Sequence, residues 1–471
     1  NRGEGQWITF IGGTTLDRGR GIAVDANGNT YLGGVTRSTD LPAARNEYPG
    51  GSESGFITRL RPNGNIHWSI YLGGSGKDTV RQIDTDADGY CFASGTTSSA
   101  DFIAARYQLS GDADAFVSMI EPNGLVRWTT FVGGSRSEEG WGLNVHPSGD
   151  FCVVSGSTVS EDMPLAVNTY AQGGGDAFAT VVSRSGRIRR STYVGGSSRD
   201  FSYGVAVDAD GDIFVSGTTM SPDLPSAINR SHGGKTDAFI TRLFFSDGTV
   251  DWTRYLGGSG FERGYGVVID PFGNAVVSGQ SDSSDFEGQS NVNHGGLDAY
   301  IARVSADGDL MDQVFLGGSD FEYGYDLTLL GSSIVYLSGY TGSIDFAGAG
   351  NTFRGNQDGY ISRVELPERP FISVSGVCEA STHIEVVNVA PFARVAIVFG
   401  LREGNREVPD AQPCAGTILN IEEIVRTIPL TANSDGVAVY TRPLSQKYCG
   451  RYIQAINLEN CLTSNVLMTP N

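Results

Sequence analysis

The sequence predicts an all-β chain, a six-bladed β-propeller followed by a small Ig-like β-sandwich. An aromatic-aliphatic pair followed by two glycines returns six times, as FIGG, YLGG, FVGG, YVGG, YLGG and FLGG. The first glycines are Gly12, Gly73, Gly133, Gly195, Gly257 and Gly317, spaced 61, 60, 62, 62 and 60 residues apart, which is the mark of a repeat architecture. Each period holds four short β runs. Beyond Phe371 the period stops and a different, cysteine-bearing β pattern begins.

The first period shows how one blade is written. In GIAVDANGNTYLGGVT (21–36) two β-branched and aromatic runs flank Asn27-Gly28, a hairpin turn pair. A long polar loop leads to FITRL (56–60), Asn63-Gly64 makes the second tight turn, and IHWSIYL (66–72) is the fourth run. Four antiparallel strands in series make a propeller blade. A parallel β-helix needs a much shorter repeat, and no 3.6-residue periodicity supports a helical solenoid.

The ends of the repeat region complement each other. The sixth period supplies YGYDLTLL, SIVYLSG and GYISRVE, then reaches LPERP without a fourth run. The N-terminal QWITFIGG is an orphan fourth run, because Trp7 precedes Gly12 by the same five residues that separate Trp68, Trp128 and Trp252 from Gly73, Gly133 and Gly257. Residues 7–11 are therefore expected to complete blade six and remove an exposed sheet edge. The expected domains are a propeller over 1–366, a linker at 367–370 and a sandwich over 371–471.

The pattern YLGG…D…GIAVDANGNTYLGGVTRSTDLP…GFITRL resembles the bacterial SBBP β-propeller repeat over residues 7–366. That resemblance implies a secreted or surface-exposed bacterial protein and transfers no catalytic residues. The family name implies seven blades, whereas six are written here. The last hundred residues, with β runs THIEVVNV, ARVAIVFG, GVAVYTRPL, GRYIQAIN and SNVLMT, are loosely similar to Ig-like domains of bacterial surface proteins.

Composition narrows the function. Glycine, at 65 of 471 residues, is about twice ordinary usage and fits many tight turns. A formal net charge of −20 argues against nucleic acid and anionic membrane as partners. No apolar run reaches membrane-spanning length, no signal peptide is visible, and Asn1 is read as the start of a processed or trimmed chain. Cys378, Cys414, Cys449 and Cys461 crowd the last hundred residues, which reads as two disulfides and an oxidising, extracellular compartment. The pairing 449–461 is disfavoured, because the two would lie at opposite ends of one hairpin, and the other two pairings stay open. Cys91 and Cys152 read as buried free thiols.

Candidate sites follow from positions shared by all six periods. Tight turns occupy one face of a propeller, while the Gly-Gly segments and loops of roughly twenty residues occupy the other, where function is expected. The run YLGGSGKD (71–78) is no phosphate loop, since Tyr71 and Asp78 stand where a glycine and a hydroxyl are required. Five residues after each first glycine stands an acid: Asp17, Asp78, Glu138, Asp200, Glu262 and Glu322. Together they are candidates for a calcium site at the channel mouth, or else each caps its own glycine turn. No cofactor is otherwise required. A second row, Asp40, Asp101, Asp162, Asp223, Asp285 and Asp345, reads as loop anchors.

The row that breaks the symmetry lies three residues past the acids: Arg20, Arg81, Trp141, Tyr203, Tyr265 and Tyr325. Cations in two blades and aromatic faces in four are candidates for binding a sugar or an acidic group. The five histidines are scattered and neither HExxH nor GxSxG occurs, so no enzyme is expected. The expected role is a secreted or cell-surface recognition or scaffold protein that meets a protein or glycan through the long-loop face. Two rivals remain: a structural subunit of an extracellular polymer or surface layer, and a polysaccharide hydrolase or lyase using acids at the channel mouth.

Overall fold

In the computed structural model the described residues are 7–171, 173–230, 234–367, 371–377, 381–389, 393–408, 414, 418–434, 436–441, 448–449, 451–458 and 462–469. The chain forms two compact units, Asn1–Leu330 with Val335–Val364, and Gly331–Ile334 with Glu365–Asn471.

In the first unit every period becomes one antiparallel sheet. Sheet one holds β1 (Asp17–Val24), β2 (Thr30–Thr36), β3 (Ser54–Leu60) and β4 (Ile66–Leu72). Sheet two holds β5 (Asp78–Thr85), β6 (Cys91–Thr97), β7 (Asp114–Ile120) and β8 (Val126–Val132). Sheet three holds β9 (Glu138–Val145), β10 (Phe151–Thr158), β11 (Asp176–Ser183) and β12 (Ile188–Val194). Sheet four holds β13 (Asp200–Val207), β14 (Ile213–Thr219), β15 (Asp237–Leu243) and β16 (Val250–Leu256). Sheet five holds β17 (Glu262–Ile269), β18 (Ala275–Ser281), β19 (Asp298–Val304) and β20 (Leu310–Leu316). Sheet six has three strands, β21 (Glu322–Leu330), β22 (Ile334–Thr341) and β23 (Asp358–Glu365).

Three devices, each legible in the repeat, hold these sheets. In the first turn the Asp25 carboxylate accepts hydrogen bonds from the backbone N–H groups of Asn27 and Asn29 at 2.9 Å, and Gly28 takes the left-handed conformation (φ 78°) that the turn demands. In the long loop Asn46 exchanges two 2.8 Å hydrogen bonds with the backbone of Tyr71. The same exchange recurs in Asn168 with Tyr193, Asn229 with Tyr255 and Asn291 with Phe315. Finally, fourth-strand tryptophans tie sheets one, two and four to the sheets that follow them. Trp68 donates to the Pro122 carbonyl at 3.0 Å, Trp128 to Arg184 at 3.1 Å and Trp252 to Ala306 at 3.0 Å. Apolar clusters fill the space between successive sheets, such as Tyr31, Ile57, Trp68 and Ile83 with Cys91 and Phe116.

The expected closing strand is not formed. Residues 7–11 adopt no strand, and among the described residues no strand pairs with β23 on its outer side. Trp7 instead donates to the Pro62 carbonyl at 3.1 Å and Thr9 to the Gly64 carbonyl at 2.6 Å, so the segment lies on the second tight turn of sheet one. The innermost strands explain this. β1 packs beside β5, and so on round to β17 beside β21, but β1 and β21 do not pack together to the same extent. The free edge of sheet six is therefore not carried to the segment that would cover it.

The second unit has a three-stranded sheet of β24 (Phe371–Val377), β25 (Ser381–Val387) and β28 (Ala438–Thr441). Its other sheet is ordered β27 (Ile418–Thr431), β26 (Arg394–Glu407), β29 (Tyr452–Asn457) and β30 (Thr463–Met468). Residues of both sheets, Ile384 and Val386 with Val395, Ile397, Phe399 and Ile453, share one apolar core. The hairpin β26–β27 is much longer than the single run ARVAIVFG suggests, because LREGNRE, the polar outer half of β26, shows no apolar alternation. Cys378, Cys461 and most of the expected linker lie outside the described residues, and with them the disulfide pairing. The free thiols among the described residues are Cys91 and Cys152, both buried as expected. Among the described residues no helix is long and apolar enough to cross a membrane.

Candidate functional site

The symmetry-breaking row owes its direction to β-bulges or irregularities in the innermost strands β1, β5, β9, β13 and β17. Pairing of β1 with β2 runs from Gly19↔Gly34 to Gly21↔Gly33, which leaves Arg20 as an extra residue. Arg81, Trp141 and Tyr203 are left over in the same way, and Tyr265 lies within the corresponding irregularity of β17. A bulge re-aims the residue it leaves unpaired. It also drives a carbonyl towards the partner strand, where only glycine fits. A Cβ on Gly34, Gly95, Gly156 or Gly217 would collide with the carbonyl oxygen of Arg18, Thr79, Glu139 or Phe201.

These residues line a central cavity of about 670 Å³, together with Arg263. The side chains form a continuous arc. The Arg81 guanidinium lies over the Trp141 ring, 3.4 Å from its centroid, and is 3.5 Å from the Glu139 carboxylate. Trp141 meets Tyr203 edge to face at 5.3 Å, Tyr203 meets Tyr265 at 5.4 Å, and Tyr265 meets Tyr325 at 5.1 Å. Tyr340, stacked on Tyr323 at 4.5 Å, extends the arc past Tyr325. The aromatics thus pack on one another and still border open space. Tyr265 is nearly covered, whereas Tyr325 is 45 % exposed. Burial pushes Arg81 down to about 10, against the opposing pull of Glu139, so it is charged at neutral pH. Burial likewise pushes Tyr265 up to about 12, leaving its hydroxyl protonated; it donates to Gln280 at 3.3 Å.

A smaller cavity of about 330 Å³ adjoins the cationic end, between sheets one and two, and Arg18, Arg20, Lys77 and Arg81 line it with Glu53 and Glu139. Lys77 pairs with Glu53 at 3.4 Å. Arg18 and Arg20 have no ion-pair partner among the described residues. In a chain of net charge −20 this is a local reversal of sign. Sequence reasoning missed Arg18, Lys77, Arg263 and Tyr340. Arg18 and Arg263 share one repeat position, directly after the acids Asp17 and Glu262, and a position-by-position comparison of the periods shows it.

The acids Asp17, Asp78, Glu138, Asp200, Glu262 and Glu322 are the first residues of the innermost strands. Each is folded into its own Gly-Gly turn, accepting the N–H of Gly13, Gly74, Gly134, Gly196, Gly258 or Gly318. Hydroxyls complete the shell: Thr97 and Ser99 donate to Asp78 at 2.5 and 2.9 Å, and Ser281 and Ser283 to Glu262 at 2.7 and 2.5 Å. Burial raises the carboxyl groups of Asp78, Glu138 and Glu262 above the usual range, and that of Asp200 up to about 6, while these hydrogen bonds pull the other way. Among the described residues no three acidic, histidine or cysteine side chains are grouped to hold a metal ion. The second row does anchor the loops. Asp101 accepts from the Ser75 N–H at 2.8 Å and its hydroxyl at 3.0 Å, and Phe102 beside it is buried.

Residues 6–42, 190–225 and 251–287 match the model of the SBBP beta-propeller repeat. These three segments are similar to that repeat. The segment 6–42 starts in the Trp7 segment and runs through β1 and β2, and 190–225 and 251–287 cover the same stretch of later periods, so each match spans a Gly-Gly turn, its acid and the bulged residue. No curated protein matches the sequence. Among solved structures, a gluconolactonase of Xanthomonas campestris is 13% identical over 68% of this chain and 82% of its own, with a TM-score of 0.36. A protein of unknown function from Dyadobacter fermentans is 12% identical over 74% of this chain and 94% of its own, with a TM-score of 0.39. A tetra-tandem repeat from the extending region of a large adhesion protein is 12% identical over 96% of this chain and 99% of its own, with a TM-score of 0.15.

Proposed function

We propose that this propeller-repeat chain is a non-enzymatic recognition protein of the cell surface or extracellular space, and that its central cavity is the binding site. The observation that carries this is the bulged row, which sets the Arg20 and Arg81 guanidiniums beside an aromatic arc from Trp141 to Tyr325. Guanidinium groups bind carboxylates through paired hydrogen bonds, and aromatic faces suit the apolar side of a sugar ring. The ligand class is a glycan or short peptide carrying one acidic group. Arg18 and Lys77 at the neighbouring cavity favour the acidic member of that class.

The second unit is read as an Ig-like module that docks or spaces the propeller, cross-linked by two disulfides among Cys378, Cys414, Cys449 and Cys461. Its two sheets around one core support that reading. The test is a panel of neutral and acidic glycans and acidic peptides, followed by calorimetry on the hits. Binding without turnover, lost in Trp141→Ala, supports recognition. Catalytic consumption of a polysaccharide would replace it with the hydrolase reading.

A further inference from the structure

Sheet six presents a groove shaped for a missing fourth strand. Its inner flank is β23, whose alternate residues are exposed, whereas β7, β11 and β19, each flanked on both sides, are wholly buried. Ile361 is 79 % exposed, while its counterparts Ile57, Val117, Ala179, Ile240 and Ile301 are 2 % or less. The groove encloses about 1310 Å³ along Phe346, Asn351, Tyr360 and Ile361. Two features there await a strand. Asn351 holds the loop position of Asn46, Asn168, Asn229 and Asn291, which clamp a fourth-strand backbone in their own sheets, and it has no hydrogen-bond partner among the described residues. The Phe346–Tyr360 edge-to-face pair repeats Phe286–Tyr300, which in sheet five is joined by Phe315 from the fourth strand. In sheet six the third ring is missing.

The opposite end of the row of sheets is equally unfinished. Ile22 on β1 is 63 % exposed, although Ile83, Leu143, Val205, Val267 and Leu327 at the same repeat position are 3–7 % exposed. Over this face lies the segment of Trp7 and Thr9. Their bonds to Pro62 and Gly64 repeat those of Trp128 to Arg184 and Thr130 to Gly186, by which the fourth strand of sheet two docks on sheet three. The segment therefore already sits as a fourth strand sits on the following sheet. Its own sheet is missing, and Phe10, in the ring position of Phe315, is 93 % exposed.

We propose that the groove of sheet six receives residues 7–11 of a second copy of this chain, so that sheet six of one copy packs against sheet one of the next. The interface continues, between copies, the sheet-to-sheet packing used five times inside each copy. Phe10 completes the Phe346–Tyr360 cluster, the Asn351 amide clamps the Phe10 backbone, and Ile22 and Ile361 are buried together. The copy's own segment is the less suitable occupant, because it is held on sheet one while β21 does not pack on β1 as the other innermost strands pack on one another. Such an interface is head-to-tail, and it yields a closed ring or an open filament according to the rotation per copy. This inference does not depend on the ligand proposed for the central cavity.

Sedimentation velocity of the full chain over a hundredfold concentration range tests it, with Phe10→Lys and Ile361→Lys as single variants. The wild type should associate beyond a dimer with rising concentration, and each variant alone should sediment as a monomer. A mixture of the two should form a heterodimer and stop there, since Ile361→Lys retains an intact donor segment and Phe10→Lys an intact groove. A peptide of residues 7–13 in excess should return the wild type to monomer, which reads the interface even where a variant folds poorly. A wild type that stays monomeric throughout overturns the proposal, whether or not exchange shows its own residues 7–11 paired in the groove. Association unaffected by the peptide overturns it as well.

Discussion

The Arg81 guanidinium lies 3.4 Å from the centroid of the Trp141 ring, so the last cation of the bulged row rests directly on its first aromatic. The two side chains belong to neighbouring sheets and fix each other in place. A cation held this way keeps its charge while losing part of its water. The pair is the joint between the cationic and the aromatic parts of the cavity lining.

Removing either member should therefore have different effects on binding. Trp141→Ala should weaken neutral and acidic ligands alike, by roughly tenfold or more, because one stacking face is lost and Arg81 is left loose. Arg81→Ala should weaken acidic ligands selectively, leaving neutral analogues within about threefold. Calorimetry on a matched acidic and neutral pair separates the two. Equal losses for both ligands in Arg81→Ala would remove the carboxylate assignment.

Stability should rise on mild acidification. Burial pushes Asp176, Asp200 and Asp298 up to about 6, above the 3.8 of an exposed aspartate. Between those values the folded chain binds more protons than the unfolded one, so the stabilisation is complete below about 4 and is lost as pH rises through 6. The urea midpoint should be higher at pH 5 than at pH 7.5. Asp200→Asn should flatten part of that dependence, and an unchanged slope in this variant would show that another group carries it.

The glycines of the second strands should resist even alanine. At Gly95 a Cβ would meet the Thr79 carbonyl carbon and oxygen, which are backbone atoms and cannot turn aside. Gly95→Ala should cost about 2–4 kcal/mol, within the range of overpacked or strained sites. Gly350→Ala is the control, since nothing lies within 4 Å of a Cβ there and φ is not in the left-handed region. It should leave the thermal midpoint within a degree or two.

The thiols should divide into two classes. Cys91 and Cys152 are buried, and burial pushes both thiols well above their ordinary value, so alkylation of native protein should leave them untouched and unfolding should expose both. Non-reducing peptide mapping should find two bridges among the remaining four cysteines. Four free thiols in native protein would remove the argument for an oxidising compartment.

What the sequence conveys well here is what the repeat states more than once. The tight turn at Asn27-Gly28, the capping acids and the aspartate-plus-apolar loop anchors each recur, and a device written six times can be read by comparing its copies. The closing strand was misplaced because pattern reports register, not proximity. Trp7 does hold the fourth-strand register and makes the fourth-strand bond, yet nothing in the sequence states whether β21 reaches β1. Of the two readings of the acids, the hydrogen bonds support the capping of each Gly-Gly turn. An acid repeated in every period already favours a local role, and Asp78 accepts from the Gly74 N–H and from the Thr97 and Ser99 hydroxyls of its own sheet. The bulges lay beyond reach, since the Gly-x-Gly spelling of Gly19-Arg20-Gly21 is absent around Arg81, where Val80 and Gln82 do the same work.

The bulge also separates two demands that most binding sites must satisfy together. Arg20, Arg81, Trp141 and Tyr203 are surplus to the strand pairing of their sheets, and each can change while the ladder hydrogen bonds and the aliphatic layers between sheets stay the same. The scaffold thus offers one freely exchangeable letter per repeat, facing a shared cavity. Chains built on the same repeat can acquire unrelated ligands by spelling that row differently, without renegotiating how they fold.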